Sequence, residues 1–503
     1  MVAILDHTGL PIASSAPRTS AGRTAYAQKF SRTIRARYDA ARTTDDNERH
    51  WANADNLSSN AAASPAVRRK IRSRARYEAQ ENNSYAKGMI LTLANDMVGT
   101  GPKLQMLLED REMNQRIEAS FLRWAKEIKL AKKLRTMRAA KAIDGEAFAA
   151  LTTNPELVHD VKLDIKPFEA DYVTDPYETI DYDQEDEVDG VQYDEYGNPS
   201  KYYILKRHPG AGISFGSDSG TWVDAKEVIH IYREDRAGQK RGVSEIAPSL
   251  PLFAMLRRFT LATIAAAETA ADFAAVMKTQ SNATVEAENL NADEWYEAIP
   301  LEYRAMLTLP NGWDITQLKA EHPTTTYQMF KSEIINEIAR CLNMPYNVAA
   351  ANSSDYNYAS GRMDHQVYYK SIDVERDDWS CEVLFKIFMA WLQEAMFVPG
   401  LLPDGLPQFS QLKWDWFWDA PEHVDPQKHA NATKTNIASG TDNRRAVYAR
   451  KGIDVDQADE EAAATYGVSV EEYRQKLFEN TFSGGGNEPQ IQTNQAQAES
   501  TKD

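Results

Sequence analysis

The densest group of side chains that could do chemistry is the run DYDQEDEVDG, from Asp181 to Gly190. Carboxylates this close together could bind a divalent cation, and a metal-dependent hydrolase could use members of the group from Asp181 to Asp189. Calcium and magnesium sites need ligands at fixed places in a loop, however, and no Asp-x-Asp-x-Asp-Gly pattern with a glutamate at its end is present. We therefore predict a solvated acidic loop and keep an acidic metal-dependent hydrolase as an alternative.

Other catalytic and cofactor motifs are missing from the sequence. It has no Gly-x-x-x-x-Gly-Lys-Ser/Thr phosphate loop, no Gly-x-Gly-x-x-Gly and no His-Glu-x-x-His. The segment from Gly99 to Lys103, GTGPK, lacks the spacing and the hydroxyl of a phosphate loop. His423 and His429 have a spacing that does not place them on one face of a helix. We predict that the protein is not an enzyme and has no catalytic residue, metal site or cofactor.

The charge balance and the cysteine count narrow the class of protein. The 503 residues include 57 Lys and Arg against 74 Asp and Glu, a formal net charge of −17, so the whole molecule should repel nucleic acid and anionic lipid. Two cysteines, Cys341 and Cys381, are too few for a disulfide framework or a zinc cluster, and they fit a reducing compartment. The most apolar stretch, from Leu261 to Met277, is interrupted by acidic residues and is shorter than the ~20 apolar residues that span a bilayer. We predict no membrane insertion.

The hydrophobic pattern predicts an α+β fold. A helix begins at Ser64, with Pro65 in its first turn, and ends at Gly99. A second helix is predicted from about Arg111 to Lys141. From there to about residue 232 the chain reads as short strands separated by turns.

Further along, two helices bracket a small module of strand-like pieces. The first, after residue 250, is rich in alanine, which lets neighbouring backbones approach closely, although helix propensity alone also favours alanine. The second, TYQMFKSEIINEIARCLNMP, repeats apolar residues every four positions and stops at Pro345. A polar loop then leads into a long helix, and a polar helical region extends to about Asn480. The apolar face of the long helix is predicted to be Val383, Leu384, Ile387, Phe388, Trp391 and Ala395.

An aromatic cluster, WDWFWD, separates the long helix from the polar helical region. If it forms a strand, Trp414, Trp416 and Trp418 lie on one face, because side chains alternate along a strand. We predict that these residues pack in a core and have no direct chemical role.

Several separated stretches together resemble the lambda-type portal proteins of tailed bacteriophages. In chain order they are YEAQENNSYAKGMILTLANDMVGTGPKLQ (77–105), DGEAFAAL (144–151), GVQYDEYGNPSKYYI (190–204), VIHIYREDRAGQKRGVSEIAPSL (228–250), DYNYASGRMDHQVYY (355–369) and WDAPEHVDPQKHANATKTNIASG (418–440). Their order and spacing extend over most of the chain. The sequence departs from the family pattern in the N-terminal arm (1–60), the acidic run (181–190) and the C-terminal tail (483–503).

The resemblance implies a portal-type subunit with a mixed α/β wing, a helical stem, a small α/β clip and a helical crown, assembled as a ring. The elements read from the residues alone come in the same order. The expected parts are a basic, loosely ordered N-terminal arm at 1–60, the first part of the wing at 61–245, a stem helix at 246–280, the clip at 281–322, a second stem helix at 323–345, the channel loop and long wing helix at 346–425, the crown at 426–482 and a disordered tail at 483–503.

The resemblance also implies a function and partners. Such a ring, usually of twelve subunits, forms the DNA channel at one capsid vertex, through which the genome is packaged and later ejected, and it connects head to tail. The expected partners are further copies of the chain as a homododecamer, passing double-stranded DNA bound without sequence specificity, the terminase large subunit, the major capsid and scaffolding proteins, and the head-completion (neck) protein. The expected location is the portal vertex of the virion, after assembly in the bacterial host cytoplasm. A capsid adaptor without a channel is the other alternative, and subunit stoichiometry distinguishes it.

Three sets of residues acquire expected roles from the resemblance. The DNA-channel loop comprises Asn352, Ser353, Ser354, Asp355, Tyr356 and Asn357; stem packing is expected at Ala266, Ala270 and Ala274; and the wing–crown anchor comprises Trp414, Trp416 and Trp418. Net acidity suits a channel, because strong neutralisation of phosphates would hold DNA in place.

Overall fold

The computed structural model describes most of the chain. The described residues are 45, 47–175, 187–211, 219–272, 276–279, 313–316, 324–354, 357–403, 405–420, 426–450 and 453–482. The expected disordered tail and most of the expected N-terminal arm therefore lie outside them. The chain divides into two units, 1–58 and 59–503, and the first contains the short helix α1 (Glu48–Trp51).

The second unit begins with helices that match the sequence pattern. They are α2 (Ser59–Ala62), α3 (Pro65–Arg76), a π-helical segment (Tyr77–Asn82) and α4 (Ser84–Val98). Asn83 interrupts the run, because its side-chain oxygen accepts hydrogen bonds from the backbone nitrogens of Tyr85 and Ala86 and so caps α4. The predicted end at Gly99 is confirmed, with φ +58°.

The single helix predicted from Arg111 to Lys141 is wrong. After β1 (Lys103–Met106) the structure has two helices, α5 (Arg111–Glu127) and α6 (Leu130–Asp144). Lys129 between them has φ +57°, a left-handed conformation that ends α5 without a glycine or a proline. Ile128 and Leu130 on either side are buried, so tertiary packing stabilises a break that no local signal marks.

The predicted strands are confirmed as two antiparallel sheets. In chain order the strands are β2 (Glu146–Thr153), β3 (Leu163–Phe168), β4 (Glu187–Val188), β5 (Val191–Tyr193), β6 (Pro199–Leu205), β7 (Gly220–Asp224) and β8 (Val228–Tyr232). One sheet has the order β3-β2-β8 and the other the order β4-β5-β6-β7. In the first sheet Phe148 pairs with Phe168 on one side and with His230 on the other, and its ring stacks on both.

Two helices and two short strands follow, but the stem helix expected at 246–280 is too long, because residues 276–279 form a strand that pairs with 313–316. The elements are α7 (Leu250–Asp272), β9 (Val276–Thr279), β10 (Trp313–Thr316) and α8 (Thr324–Arg340), and the two strands pair antiparallel. Most of the module between the helices lies outside the described residues.

The predicted long helix is confirmed. After α9 (Tyr346–Ala349), α10 (Tyr358–Trp379) continues through a π-helical segment (Ser380–Leu384) into α11 (Phe385–Ala395). All six residues of its predicted apolar face are 0% exposed. They are Val383, Leu384, Ile387, Phe388, Trp391 and Ala395.

The C-terminal section begins with a strand and continues as helices, as the pattern predicted. Strand β11 (Trp414–Phe417) pairs antiparallel with β1, although more than 300 residues separate them in sequence. The helices are α12 (Pro426–Ala438), α13 (Arg444–Arg450), α14 (Val455–Tyr466) and α15 (Val470–Phe482).

The main core forms where α5, α11 and β11 meet. The Phe121 ring contacts Trp124, Phe388, Trp391 and Trp416, with centroids 5.2 to 5.8 Å apart. A smaller core around Phe148, Val191, Tyr202 and Val228 joins the two sheets. The fold is therefore a mixture of helices and antiparallel sheet, as the sequence predicted.

Candidate assembly and channel residues

Helices α7 and α8 pack against each other through aromatic and buried aliphatic side chains. The Phe259 ring lies 5.6 Å from the Tyr327 ring and 4.7 Å from the Phe330 ring, centroid to centroid. At the start of α7 the Ser249 hydroxyl donates to the Ile338 carbonyl at 3.1 Å. Ser249 and Ile338 are both buried, so this end of the helix pair is embedded in the main core.

Farther along, the same helix pair exposes large apolar side chains. Their exposed fractions are 61% for Met255, 58% for Leu261, 50% for Ile264 and 68% for Met329. Ala266 is exposed as well, whereas the side chains of Ala270 and Ala274 lie outside the described residues. The pair therefore carries an apolar surface that the described remainder of the subunit leaves uncovered.

Length and composition alone would allow this region to cross a membrane. The stretch from Ala247 to Glu268 contains a run of 18 residues with a mean hydropathy of 1.3, and 17% of that run is buried. One such helix is a weak indication, because a helix that packs against other protein passes the same test. The expected absence of membrane insertion stays a prediction.

The loop before α10 is held at both ends by asparagine side chains. The Asn352 oxygen Oδ1 accepts hydrogen bonds from the Ser354 nitrogen at 3.0 Å and the Ser354 hydroxyl at 2.7 Å. At the other end, Asn357 Oδ1 accepts from the Ser360 nitrogen at 2.9 Å and caps α10. Asn352, Ser353, Ser354 and Asn357 are exposed, and Asp355 and Tyr356 lie outside the described residues.

The three tryptophans of the expected anchor lie at the join between the core and the C-terminal section. Trp414 and Trp416 both contact Phe388 of α11, with centroids 5.0 and 6.2 Å apart, and Trp416 also packs on Phe121. The Trp418 ring lies 5.6 Å from the guanidinium of Arg376. Trp414 and Trp416 therefore share Phe388 as a partner, whereas Trp418 lies beyond the end of β11 and contacts Arg376. Their role as an anchor stays a prediction.

Arg376 holds this junction together by hydrogen bonds that the sequence did not suggest. Its Nε donates to the Met97 carbonyl at 2.9 Å, and its Nη2 donates to the carbonyls of Asp96 and Asp419 at 2.8 and 2.9 Å. The Asp419 carboxylate in turn accepts from the Thr100 nitrogen at 2.5 Å. The end of α4, the last turn of α10 and the segment after β11 are thus joined at one side chain.

Gly99 is required where this junction turns. Its φ is +58°, and a Cβ there would lie 2.4 Å from an oxygen of Asp419. Two stretches of the family resemblance meet at this junction, since Gly99 lies in residues 77–105 and Asp419 in residues 418–440.

A fully buried carboxylate connects α3, β2 and the segment that leads to α7. Glu146 is 0% exposed and accepts from Arg241 Nε at 2.8 Å, Arg241 Nη2 at 2.6 Å and Arg72 Nη2 at 2.9 Å. Burial by itself raises the pKa of Glu146, but Arg241 and the hydrogen bonds from His230 and Arg241 hold it well below its usual range. Burial also lowers the pKa of His230, which favours the neutral imidazole.

A second group of buried charges lies beside the start of α7. Arg138 Nη2 donates to Glu245 Oε2 at 3.0 Å, and Glu375 Oε1 lies 2.8 Å from Arg138 Nε and 2.7 Å from Lys141 Nζ. Burial raises the pKa of Glu245, but Arg138 and Lys141 outweigh it and leave the pKa lowered. Both groups of charges include residues from 241 to 245, so they fix the segment that enters α7 to the body of the subunit.

The acidic run is described only at its end, where one prediction is wrong. Residues 176–186 lie outside the described residues. Asp189 was predicted to lie in a solvated loop, but its side chain is 6% exposed, pairs with Arg68 and lies 3.3 Å from Arg241 Nη1. Sequence spacing could not indicate this, because Arg68 is 121 residues away.

One group of described residues has the ligand types of a metal site. Glu169, Asp171 and His208 place their ligand atoms within 4.8 Å of one another. Arg76 already supplies a cation there, since its Nη2 lies 2.7 Å from Asp171 Oδ2 and its Nη1 lies 3.4 Å from Glu169 Oε2. The arrangement therefore gives no reason to infer a bound metal.

Comparison with known proteins gives a family match and a more distant relative. Residues 44–376, about two thirds of the chain, match the model of the lambda family of phage portal proteins. A probable portal protein of the Halomonas phage phiHAP-1 is 24% identical over 278 residues, which cover 53% of this chain and 52% of that protein. The chain therefore spans about half the length of this relative.

Solved structures with similarity to the chain come from gene transfer agent particles. A chain from the neck of an empty particle, computed with C6 symmetry, has a TM-score of 0.43 and 12% identity. A chain from the neck of a native particle, computed with C12 symmetry, has the same TM-score and identity. Each comparison covers 76% of this chain and 94% of the other.

Proposed function

Since this chain belongs to the lambda family of phage portal proteins, we propose that it forms the ring-shaped DNA channel at one vertex of a phage capsid. The genome enters through this channel during packaging and leaves through it at ejection, and the ring joins head to tail. The observation that carries the proposal is the family match over residues 44–376.

The exposed surface of α7 and α8 supports assembly with identical copies. A large apolar side chain gains about 1.5–3 kcal/mol when it passes from water to a buried site. Met255, Leu261, Ile264 and Met329 are each at least half exposed in the isolated subunit. Each of these side chains would contribute roughly half of this amount if it packed against a neighbouring subunit, which would stabilise a ring. Twelve subunits are the proposed number.

The described elements support the division of the subunit into portal parts. Helices α7 and α8 are the proposed stem, β10 lies within the proposed clip at 281–322, and α12–α15 form the proposed crown. Strand β9, which pairs with β10, lies at the end of the range expected for the first stem helix, 246–280. The proposed wing combines the two sheets with α3–α6 and the long helix of α10 and α11. The buried charges around Glu146 and Glu245 hold the wing to the first stem helix.

The loop from Asn352 to Asn357 is the proposed narrowest part of the channel. Its described side chains are uncharged, exposed and hydrogen-bonded at the two ends of the loop. Uncharged groups make weak, replaceable contacts with phosphates, and the net charge of −17 further limits retention of DNA. Such a loop could guide DNA without stopping it.

The proposed partners follow from the portal role. They are double-stranded DNA in passage, the terminase large subunit, the major capsid and scaffolding proteins, and the head-completion protein. The proposed site of action is the portal vertex of the virion, after assembly in the bacterial host cytoplasm.

No described contact favours the two alternatives. The hydrolase would need free carboxylates in the acidic run, and Asp189 is paired with arginines. A capsid adaptor without a channel would not need the exposed apolar surface to close into a ring.

The mass and symmetry of the purified assembly test the proposal. Native mass spectrometry gives the subunit number, and class averages of negatively stained particles show whether a central hole is present. A closed ring with a hole wide enough for duplex DNA is the expected result. A monomer or dimer under all conditions would contradict the portal role.

A further inference from the structure

A cavity of about 770 Å³ separates helix α5 from the C-terminal helices. Strand β1 and α5 line one side of it, with Gln105, Glu118 and Leu122 among the lining residues. The start of α14 lines the other side and contributes Asp454 and Asp456. The C-terminal helices therefore do not pack closely on the body of the subunit at this place.

Polar side chains form the described hydrogen bonds that bridge the cavity. Gln105 Nε2 donates to Asp454 Oδ2 at 3.1 Å, and Arg111 Nη2 donates to Glu460 Oε1 at 2.5 Å. Gln115 Nε2 adds a longer hydrogen bond to Glu460 at 3.4 Å. Arg111 and Glu460 are each 43% exposed, and exposed pairs of this kind hold elements together only weakly.

Glu118 lies in this cavity and faces carboxylates across it. Its Oε1 accepts a hydrogen bond from the Met106 nitrogen at 2.6 Å. Burial raises the pKa of Glu118 to about 7, and Asp454 and Asp456 add to the rise. The Met106 nitrogen and Arg445 act in the opposite direction.

Several of the other charged groups on the cavity wall are paired with partners other than Glu118. Arg111 is paired with Glu460, and Asp456 is paired with Arg474 of α15. The charged residues that line the cavity besides Glu118 are Lys103 of β1, Arg111 and Lys126 of α5, Arg445 of α13, and Asp454, Asp456, Glu460 and Glu461 at and within α14.

We propose that this cavity is a proton-controlled joint, in which protonated Glu118 keeps the C-terminal helices docked on α5 and ionised Glu118 lets them separate. Separation returns water to the Glu118 carboxyl and removes the like charges of Asp454 and Asp456. The docked state therefore binds the proton more tightly than the separated state does.

The direction of the pH effect follows from this difference. In the separated state the pKa of Glu118 should return towards the ordinary value of about 4.3. Between that pH and about 7 the docked state loses stability as pH rises, and above about 7 the effect is complete. Each unit of pKa difference changes the docking equilibrium tenfold. Because Glu118 is only partly shielded from water, we discount the full difference and expect separation to lower its pKa from about 7 by about one unit, which changes the docking equilibrium about tenfold between pH 5 and pH 8.

Hydrogen exchange of the full chain, measured by mass spectrometry at about pH 5 and pH 8, tests the joint. Labelling times are scaled for the intrinsic pH dependence of amide exchange. Peptides that cover α14 and β1 should lose protection by about tenfold at the higher pH, while peptides from the buried α11 should not. Equal protection of α14 at the two pH values would refute the proposal.

Matched variants assign the effect to one carboxyl group. Glu118→Gln, which cannot ionise, should keep at pH 8 the α14 protection that the unmodified chain has at pH 5. Glu112→Gln removes the same charge from an exposed position of the same helix and should behave like the unmodified chain. If Glu118→Gln loses protection at pH 8 as the unmodified chain does, Glu118 is not the controlling group.

A second variant answers the same question without changing Glu118. Asp456→Asn removes one of the like charges and should move the loss of α14 protection to lower pH. An unchanged or higher midpoint would overturn the proposed role of the facing carboxylates. The inference goes beyond the portal function, and this measurement within one subunit can succeed or fail whether or not the chain forms rings.

Discussion

Replacement of Arg241 by methionine should destabilise the subunit strongly, because it leaves a buried carboxylate short of its main partner. Glu146 is 0% exposed, and Arg241 donates two of its hydrogen bonds, at 2.8 and 2.6 Å. Removal of one partner from a buried ion pair costs about 3–5 kcal/mol. We expect Arg241→Met to lower the free energy of unfolding by an amount in the lower part of this range, because Arg72 remains paired with Glu146.

The loss of unfolding free energy caused by Arg241→Met should be smaller at acidic pH. The pKa of Glu146 in the folded chain is well below its usual range, so its stabilising contribution is present above the unfolded pKa of about 4.3. That contribution is lost as pH falls below this value and through the folded pKa. The difference between Arg241→Met and the unmodified chain should therefore be largest near pH 7 and smaller near pH 4.

Urea unfolding followed by tryptophan fluorescence measures the effect, because Trp124, Trp379 and Trp391 are fully buried. Arg233→Met is the matched control, since Arg233 and Asp235 form a pair at 2.6 Å in which both side chains are 47% exposed. That change should cost at most about 1 kcal/mol. Adding Glu146→Gln to Arg241→Met should restore part of the loss by removing the unpaired charge.

Two results would refute this reasoning. One is a cost for Arg241→Met no larger than that for Arg233→Met. The other is a cost that does not change between pH 7 and pH 4. Either result would mean that Glu146 gains access to water or a proton without Arg241, and the segment entering α7 would then need another explanation for its position.

Three further predictions concern assembly, the channel and the junction. Leu261→Glu should lower the yield of rings in native mass spectrometry, because it puts a charge on the exposed surface of the proposed stem. Val158→Glu, at a side chain elsewhere that is 91% exposed, should leave the yield unchanged; equal yields for the two variants would contradict the proposed stem interface. Shortening the loop at 352–357 while assembly is preserved should change the packaged genome length or the retention of DNA, and unchanged values of both would count against a channel role. Arg376→Ala should lower the unfolding free energy by about 3 kcal/mol or more, because charged donors contribute roughly 1.5–3 kcal/mol per hydrogen bond. Arg362 is exposed on the same helix, so Arg362→Ala should have little effect on the unfolding free energy. A similar small loss for both arginines would argue against the junction.

Local patterns predicted many of the elements correctly. Pro65 at the first position of α3 and Gly99 after α4 both lie where the sequence placed them. The apolar face of the long helix, including Phe388 and Trp391, was predicted residue by residue. Such predictions succeed because caps and hydrophobic repeats act between residues only a few positions apart.

The errors occurred where tertiary contacts outweigh local preference. Nothing near Lys129 indicates a helix break, and the structure stabilises its left-handed backbone by burying the residues on both sides. Asp189 belongs to an acidic run that favours a solvated loop, yet Arg68 and Arg241 neutralise it in the fold. In each case the deciding partner or packing surface lies elsewhere in the chain.

By itself the sequence determined the class of fold, the order of the elements and, through its family resemblance, the portal function that the family match supports. The tertiary structure alone decided which charges meet, because Glu146, Arg72 and Arg241 come from three separate elements. Only the tertiary structure shows that Arg376 joins three segments. It also shows that Glu118 lines the same cavity as Asp454 and Asp456. A buried charge is stable only with a partner of opposite sign, and the chain can supply that partner from any distance in sequence. Local patterns therefore specify the elements, whereas long-range charge pairing and packing specify how they join.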